Sequence, residues 1–135
     1  MLKRLTSVLA GCSAGIALIF LTESVGHVLF PMPAGIDPTD KEAIKALMAE
    51  VPVAALLIVL LGAFLGGLAG GFVAGKFDAA NAKKNALIVG GILTLLGVLN
   101  MIIIPHPVWF MVIDSVIYLA GAFIGSLFIK PKQHA

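Results

Sequence analysis

Residues 51–75 read VPVAALLIVLLGAFLGGLAGGFVAG, twenty-five positions without one polar side chain. About 20 apolar residues suffice to cross the hydrocarbon core of a bilayer as a helix. The stretch therefore reads as a transmembrane helix. Its glycines fall in two rows at four-residue spacing, Gly62, Gly66 and Gly70 in one and Gly67, Gly71 and Gly75 in the other. Rows of this kind let helix backbones approach closely in lipid. Two rows predict that this helix touches more than one neighbour, either within the chain or in a second copy.

Three further stretches have the same character. Working outward, the spans are 5–30, 51–75, 86–104 and 107–129, joined by an external loop 31–50 that carries a short helix at 40–50. Of the 135 residues 60% are hydrophobic and 12% charged, and the mean hydropathy is +1.10. Soluble domains carry roughly a quarter charged residues. The expected fold is all-α: an integral membrane four-helix bundle, a single transmembrane domain over 1–135. The lipid bilayer is its first partner. A net charge of +2 gives no footing for a nucleic-acid partner. One cysteine leaves no internal disulfide and no Cys/His zinc spacing. Leu9-Ala-Gly-Cys12 resembles a lipobox, but only Leu5 to Val8 separate it from Lys3 and Arg4, too few for a signal-peptide apolar region of about 7–15 residues.

The connections set orientation. Lys3, Arg4, Lys76, Lys83, Lys84, Lys130 and Lys132 all fall on one side of a four-span chain. The other side has Lys41 and Lys45 against Asp37, Asp40, Glu42 and Glu50. Basic residues mark the cytoplasmic face, so both termini are expected there, in a bacterial inner membrane. In the long loop, Pro31, Pro33 and Pro38 exclude helix at its start. Thr39-Asp-Lys-Glu42 then reads as a capping box, followed by Ile44, Leu47, Met48 and Val51 at helical spacing: an amphipathic helix on the outer surface, a connector or a lid. Pro52 breaks it from the next span. Gly75 reads as a helix stop and Asp78 as the next start. Pro105-His106-Pro107 is a tight hairpin with Trp109 as an interfacial anchor.

Two motifs recur. Gly62-Ala-Phe-Leu-Gly-Gly-Leu68 matches Gly121-Ala-Phe-Ile-Gly-Ser-Leu127, and Pro31-Met-Pro33 matches Pro105-His-Pro107. The chain reads as two tandem helical hairpins related by an axis along the membrane normal, the first with an inserted loop. Gly62, Gly66, Gly70, Gly121 and Gly125 are the expected packing residues. Glycine faces left over would suit a homo-oligomer.

The chemistry-bearing residues sit inside the spans. Glu23 and His27 are four apart, hence on one helix face. Asn100 and Asp114 come from the third and fourth spans. At about 1.5 Å per residue all four lie roughly 6–11 Å inside the outer boundary. Phe110, Asp114, Tyr118, Gly121 and Gly125 form one stripe, and Gly90, Thr94, Gly97 and Met101 another. Thr22, Ser24, Thr94 and Ser115 are expected to bond their own helix carbonyls. An ionisable group at the bilayer centre costs about 2.5–3.5 kcal/mol on insertion scales. The cluster Glu23, His27, Asn100, Asp114 and Tyr118 is thus the candidate binding or proton-relay site. Glu23, His27 and Asp114 are also a candidate set for a divalent metal.

No triad, phosphate loop or dinucleotide fingerprint is present. The length and four spans are similar to those of small multidrug-resistance transporters, which carry an acidic residue in the first span; the charge bias, long loop and His27 depart from that pattern. The leading reading is a cation- or proton-coupled, or small-solute, transporter-like protein. The alternatives are a membrane-embedded enzyme acting on a lipophilic substrate and a structural subunit of a larger complex.

Overall fold

The computed structural model describes residues 1–130; Lys132 lies outside the described residues. The elements are α1 (Leu2–Leu29), α2 (Lys41–Glu50), α3 (Val53–Phe77), a one-turn 3-10 segment (Ala79–Asn81), α4 (Ala82–Ile103) and α5 (Val108–Leu127). Four of these helices, α1, α3, α4 and α5, are long and apolar enough to cross a membrane. They form a four-helix bundle, with no strand among the described residues. One end carries α2 and the Pro105–Pro107 turn, hereafter the α2 end. The other, the termini end, carries Met1, the 78–81 turn and the close of α5.

The helix limits differ from the spans expected from the sequence in instructive ways. α1 begins at Leu2 and α4 at Ala82, because Lys3, Arg4, Lys83 and Lys84 are good helix formers that extend the coil past its apolar part. α3 runs through Gly75 to Phe77. Gly75 is no stop: it remains helical and makes room for Ile129 and Ala82. Asp78 ends α3 instead of starting α4, and its backbone N–H donates to the Ala74 carbonyl. The cap of α2 sits one residue later than the capping box predicts. Asp40 accepts from the Glu42 and Ala43 N–H groups, both at 3.1 Å. Thr39 is engaged by Asp37, whose Oδ1 accepts its N–H at 2.8 Å and its hydroxyl at 2.7 Å; those two bonds hold the Asp37 carboxyl below its ordinary pKa. Pro52 separates α2 from α3 as expected.

α3 is the central helix, packed on α1, α5 and α4, while α1 meets α4 more sparingly. The two glycine rows explain how one helix serves so many neighbours. On the α1 side, a methyl group at Gly70 would lie 2.9 Å from the Gly11 carbonyl oxygen, and one at Gly15 2.8 Å from that of Gly66. Gly62 faces Thr22. On the α5 side, Gly67 faces Tyr118 and Ala122, Gly121 faces Phe64 and Leu68, and Gly125 faces Leu68 and Phe72. Both rows are therefore filled within the chain. The matching stretches 62–68 and 121–127 lie against each other at the α3–α5 contact.

The interior divides in two. Ala63, Ala74, Val89, Leu93 and Tyr118 form one buried cluster. Leu56, Leu60, Met101 and Phe110 form another towards the α2 end, with Met48 of α2 resting on it. The outer surface is apolar: Leu9, Phe20, Leu95, Ile102, Val112 and Val116 are all exposed. In water such a surface would aggregate; in lipid it is the solvated face.

Candidate functional site

Asp114 anchors the site. It lies on the predicted α5 stripe, and Phe110, Asp114, Tyr118, Gly121 and Gly125 are all buried. Asp114 is 3% exposed. One of its carboxyl oxygens, Oδ1, is buried without a hydrogen-bond partner. Glu23, a second carboxyl, lines the same cavity as Asp114. Asp114 Oδ2 and the Tyr118 hydroxyl meet over Gly97 of α4; a methyl group there would lie 2.9 Å from the first and 3.1 Å from the second. The glycine thus creates the space in which carboxyl and phenol come together.

A cavity of about 490 Å³ opens in front of this pair. Glu23 and Asn100 line it together with Asp114 and Tyr118, and Ile16, Ile19, Leu93, Leu96 and Phe110 supply apolar wall. A second cavity of about 570 Å³ lies under α2 and shares Glu23, Val59 and Asn100 with the first. His27, His106, Glu50, Met32 and Met48 line it. Glu23 is half-buried and stands at the junction of the two.

Of the five residues singled out from the sequence, four line one cavity and the fifth does not. His27 is exposed and belongs to the outer cavity alone, although it acts electrostatically on Glu23. Asn100 is reached by both cavities but stays largely exposed. Among the described residues no three of His, Cys, Asp and Glu are placed to hold a metal ion. Glu23, His27 and Asp114 therefore do not gather as a ligand set, because His27 points its helix turn toward the outer cavity while Asp114 sits at the floor of the inner one.

The hydroxyls sort themselves. Thr22, Ser24 and Ser115 bond the carbonyls of Leu18, Phe20 and Met111 at 2.9, 2.7 and 2.7 Å, as expected. Thr94 does not: its hydroxyl is buried with no partner. His106 is half-buried. Its ring stacks on Phe110 with centroids 4.7 Å apart, and its Nδ1 meets the Ile104 carbonyl at 2.6 Å. Burial holds its pKa below the ordinary imidazole value, partly offset by that bond. The neutral ring then donates from Nδ1 and keeps Nε2 as an acceptor.

The sequence reading missed a second polar group at the termini end. Ser7 donates to the Ala74 carbonyl at 2.7 Å and accepts from Asn85 Nδ2 at 3.1 Å. Asn85 also donates to Asp78 at 3.2 Å, and Asn81 donates to the same Asp78 oxygen at 3.1 Å. Asn85 is 0% exposed and its Oδ1 has no partner. The bonds from Asn81 above all, and from Asn85, hold the Asp78 carboxyl below its ordinary pKa. The signal was present in the sequence: Asn85 shares a helix face with Ala82, Ala86, Val89 and Leu93, all buried. This network ties α1, α3 and α4 together and closes the bundle below the cavity. No family model, curated protein or solved structure matches the chain, so the site is read from its own geometry.

Proposed function

We propose that this protein is a carrier-type membrane protein whose Glu23, Asn100, Asp114 and Tyr118 cluster binds a cation or the hydrogen-bond-donating end of a small molecule. One observation carries the reading: a buried carboxyl with an unpartnered oxygen stands at the floor of a cavity beside a second carboxyl. A buried carboxyl oxygen without a partner costs free energy. A like-charged neighbour adds to that cost. A ligand that brings donors or positive charge removes both penalties, which is the signature of a binding site rather than of a register-fixing pair. The excess of basic residues at the termini end supports a cytoplasmic side for it, and in that reading the cavities face outward across a bacterial inner membrane.

The network of Ser7, Asn85 and Asp78 and the close α3–α5 contact shut the cytoplasmic half. This arrangement is the outward-open member of a carrier cycle, and inward release requires that network to break. An enzyme reading needs no inward path, but the site offers only acid–base groups. Ser7, Ser24 and Ser115 are committed to backbone carbonyls, and Cys12 lies outside both cavities.

Native mass spectrometry with elemental analysis of gently purified protein tests the proposal. Wild type is expected to carry a stoichiometric cation or small molecule that Glu23→Gln and Asp114→Asn lose. An empty wild type that both substitutions destabilise would make the cluster structural.

A further inference from the structure

The cavity has a side as well as a mouth. Towards the termini end α1 and α4 are joined directly. There Asn85 donates to Ser7 at 3.1 Å. Gly11 stands against Val89 and Gly15 against Leu93. Beyond Leu93 the same two helices become opposite walls of the 490 Å³ cavity, Ile16, Ile19 and Phe20 on α1 and Leu96, Gly97 and Asn100 on α4. Two of these wall residues also face outward: Phe20 is 66% exposed and Leu96 46%. They belong to the apolar surface that lipid covers. The seam between α1 and α4 is therefore closed below by side-chain bonding and close packing, while at the level of Glu23 and Asp114 the two helices face each other across the cavity.

We propose that the site takes its ligand sideways from the bilayer, and that the ligand is an amphiphile: a cationic or hydrogen-bond-donating head on Asp114 and Glu23, an apolar chain along Ile16, Ile19, Leu93 and Leu96. This rests on the binding role proposed above and adds the class of ligand. The cavity wall is arranged for such a molecule. Asp114 and Tyr118 are buried at its floor, Glu23 and Asn100 stand towards the outer cavity, and Ile16, Ile19, Phe20, Leu93 and Leu96 line its flank between α1 and α4. On that flank a water-soluble solute meets mainly aliphatic and aromatic side chains, whereas an apolar chain leaving lipid for the groove exchanges one apolar setting for another. Only the head changes environment, and it moves towards two carboxyl groups. The outer cavity under α2 remains the route for water and protons to Glu23.

The test is photolabelling of the full chain in lipid nanodiscs with dodecylamine carrying a diazirine midway along its alkyl chain. Labelling is expected on the 16–23 and 93–100 stretches, competed by unlabelled dodecylamine and not by propylamine at equal concentration in the aqueous phase. Asp114→Asn is expected to reduce it at least tenfold. So is Leu96→Trp, which fills the flank, whereas Leu95→Trp, exposed on the same helix but outside the wall, leaves it unchanged and controls for folding. Labelling confined to the 31–52 segment, with propylamine competing as well as dodecylamine, would overturn the lateral route and leave the binding site standing. Absence of any saturable, Asp114-dependent labelling, together with an empty wild type in the mass-spectrometric test, would remove both.

Discussion

Gly97 of α4 and Asp114 of α5 are in a contact that only glycine permits: a methyl group on Gly97 would lie 2.9 Å from the carboxyl oxygen Oδ2 and 2.8 Å from a ring carbon of Tyr118. Gly97→Ala therefore fills the floor of the cavity and pushes the carboxyl and the phenol apart. Overpacking of this kind costs about 1–3 kcal/mol. Ligand binding is expected to fall more steeply than stability does, and isothermal titration beside thermal unfolding in detergent separates the two.

Asp114→Asn gives the opposite sign for stability. The carboxyl is buried, one oxygen has no partner, and Glu23 faces it as a like charge. Removing its charge without changing its shape relieves a penalty that a bound ligand otherwise relieves. The ligand-free variant is expected to be more stable than ligand-free wild type by about 1–3 kcal/mol, read as a higher unfolding temperature, while losing binding. A fall in unfolding temperature would mark Asp114 as a structural strut.

At the termini end, Asn85→Ala removes the donor to both Ser7 and Asp78 and leaves a hole in a fully buried place. A loss of about 1–3 kcal/mol is expected for each buried group left unpaired. Because the same bond holds α1 to α4, hydrogen exchange in the first two turns of α1 is expected to accelerate with it. Unchanged protection there would separate Asn85 from the α1–α4 seam.

Stability is expected to fall on mild acidification, and His106 is one cause. Its folded pKa lies below the ordinary value of 6.5 because of burial. The unfolded chain therefore binds more protons in that window. Stability is full above pH 6.5, declines as pH falls through the folded pKa, and levels off below it. Thermal unfolding between pH 7.5 and 5 reads this slope, and His106→Phe, which keeps the aromatic stack on Phe110, is expected to flatten it. A second decline below about pH 4 belongs to carboxylates such as Asp78, whose pKa is depressed by Asn81 and Asn85: their stabilisation is present above the unfolded value and lost as pH falls through the folded one.

The glycines separate into two kinds. A methyl group at Gly125 would lie 2.9 Å from the Phe72 nitrogen and also meet the Leu68 carbonyl, so Gly125→Ala forces α3 and α5 apart. A methyl group at Gly91 meets nothing within 4 Å. Gly91→Ala is expected to stabilise α4 by about 0.5–1 kcal/mol through helix propensity, and Gly125→Ala to cost more than that or to block folding. Unfolding temperatures of the two variants in one detergent decide it.

The number of helices and their place in the chain were legible in the sequence because each span needs only length and the absence of charge. The α5 stripe was legible too, since Asp114, Tyr118, Gly121 and Gly125 differ from their aliphatic neighbours and repeat at helical spacing. The glycine rows on α3 announced two close neighbours, and α1 and α5 fill them. Depth along the membrane could be counted, and it brought Glu23, Asn100 and Asp114 to one level, where they line one cavity.

Tertiary structure alone decided the rest. Counting residues fixes a side chain's height but not its direction around the bundle, and on α1 the inward face is marked only by small residues, Ser7, Gly11 and Gly15, set among aliphatic ones on the other sides. His27 shares Glu23's face by spacing yet lies one turn nearer the α2 end, and it lines the outer cavity instead of the inner one. Thr94 was expected to bond its own helix and is left without a partner. Asn85 lies outside the 86–104 span expected from the sequence, and only the start of α4 at Ala82 puts it on the buried face. The seam between α1 and α4 belongs to no single helix: it exists because α3 holds α1 on one side and α5 holds α4 on the other. Composition and spacing determined what each helix is made of, and close packing around the glycines of α3 decided which polar groups meet.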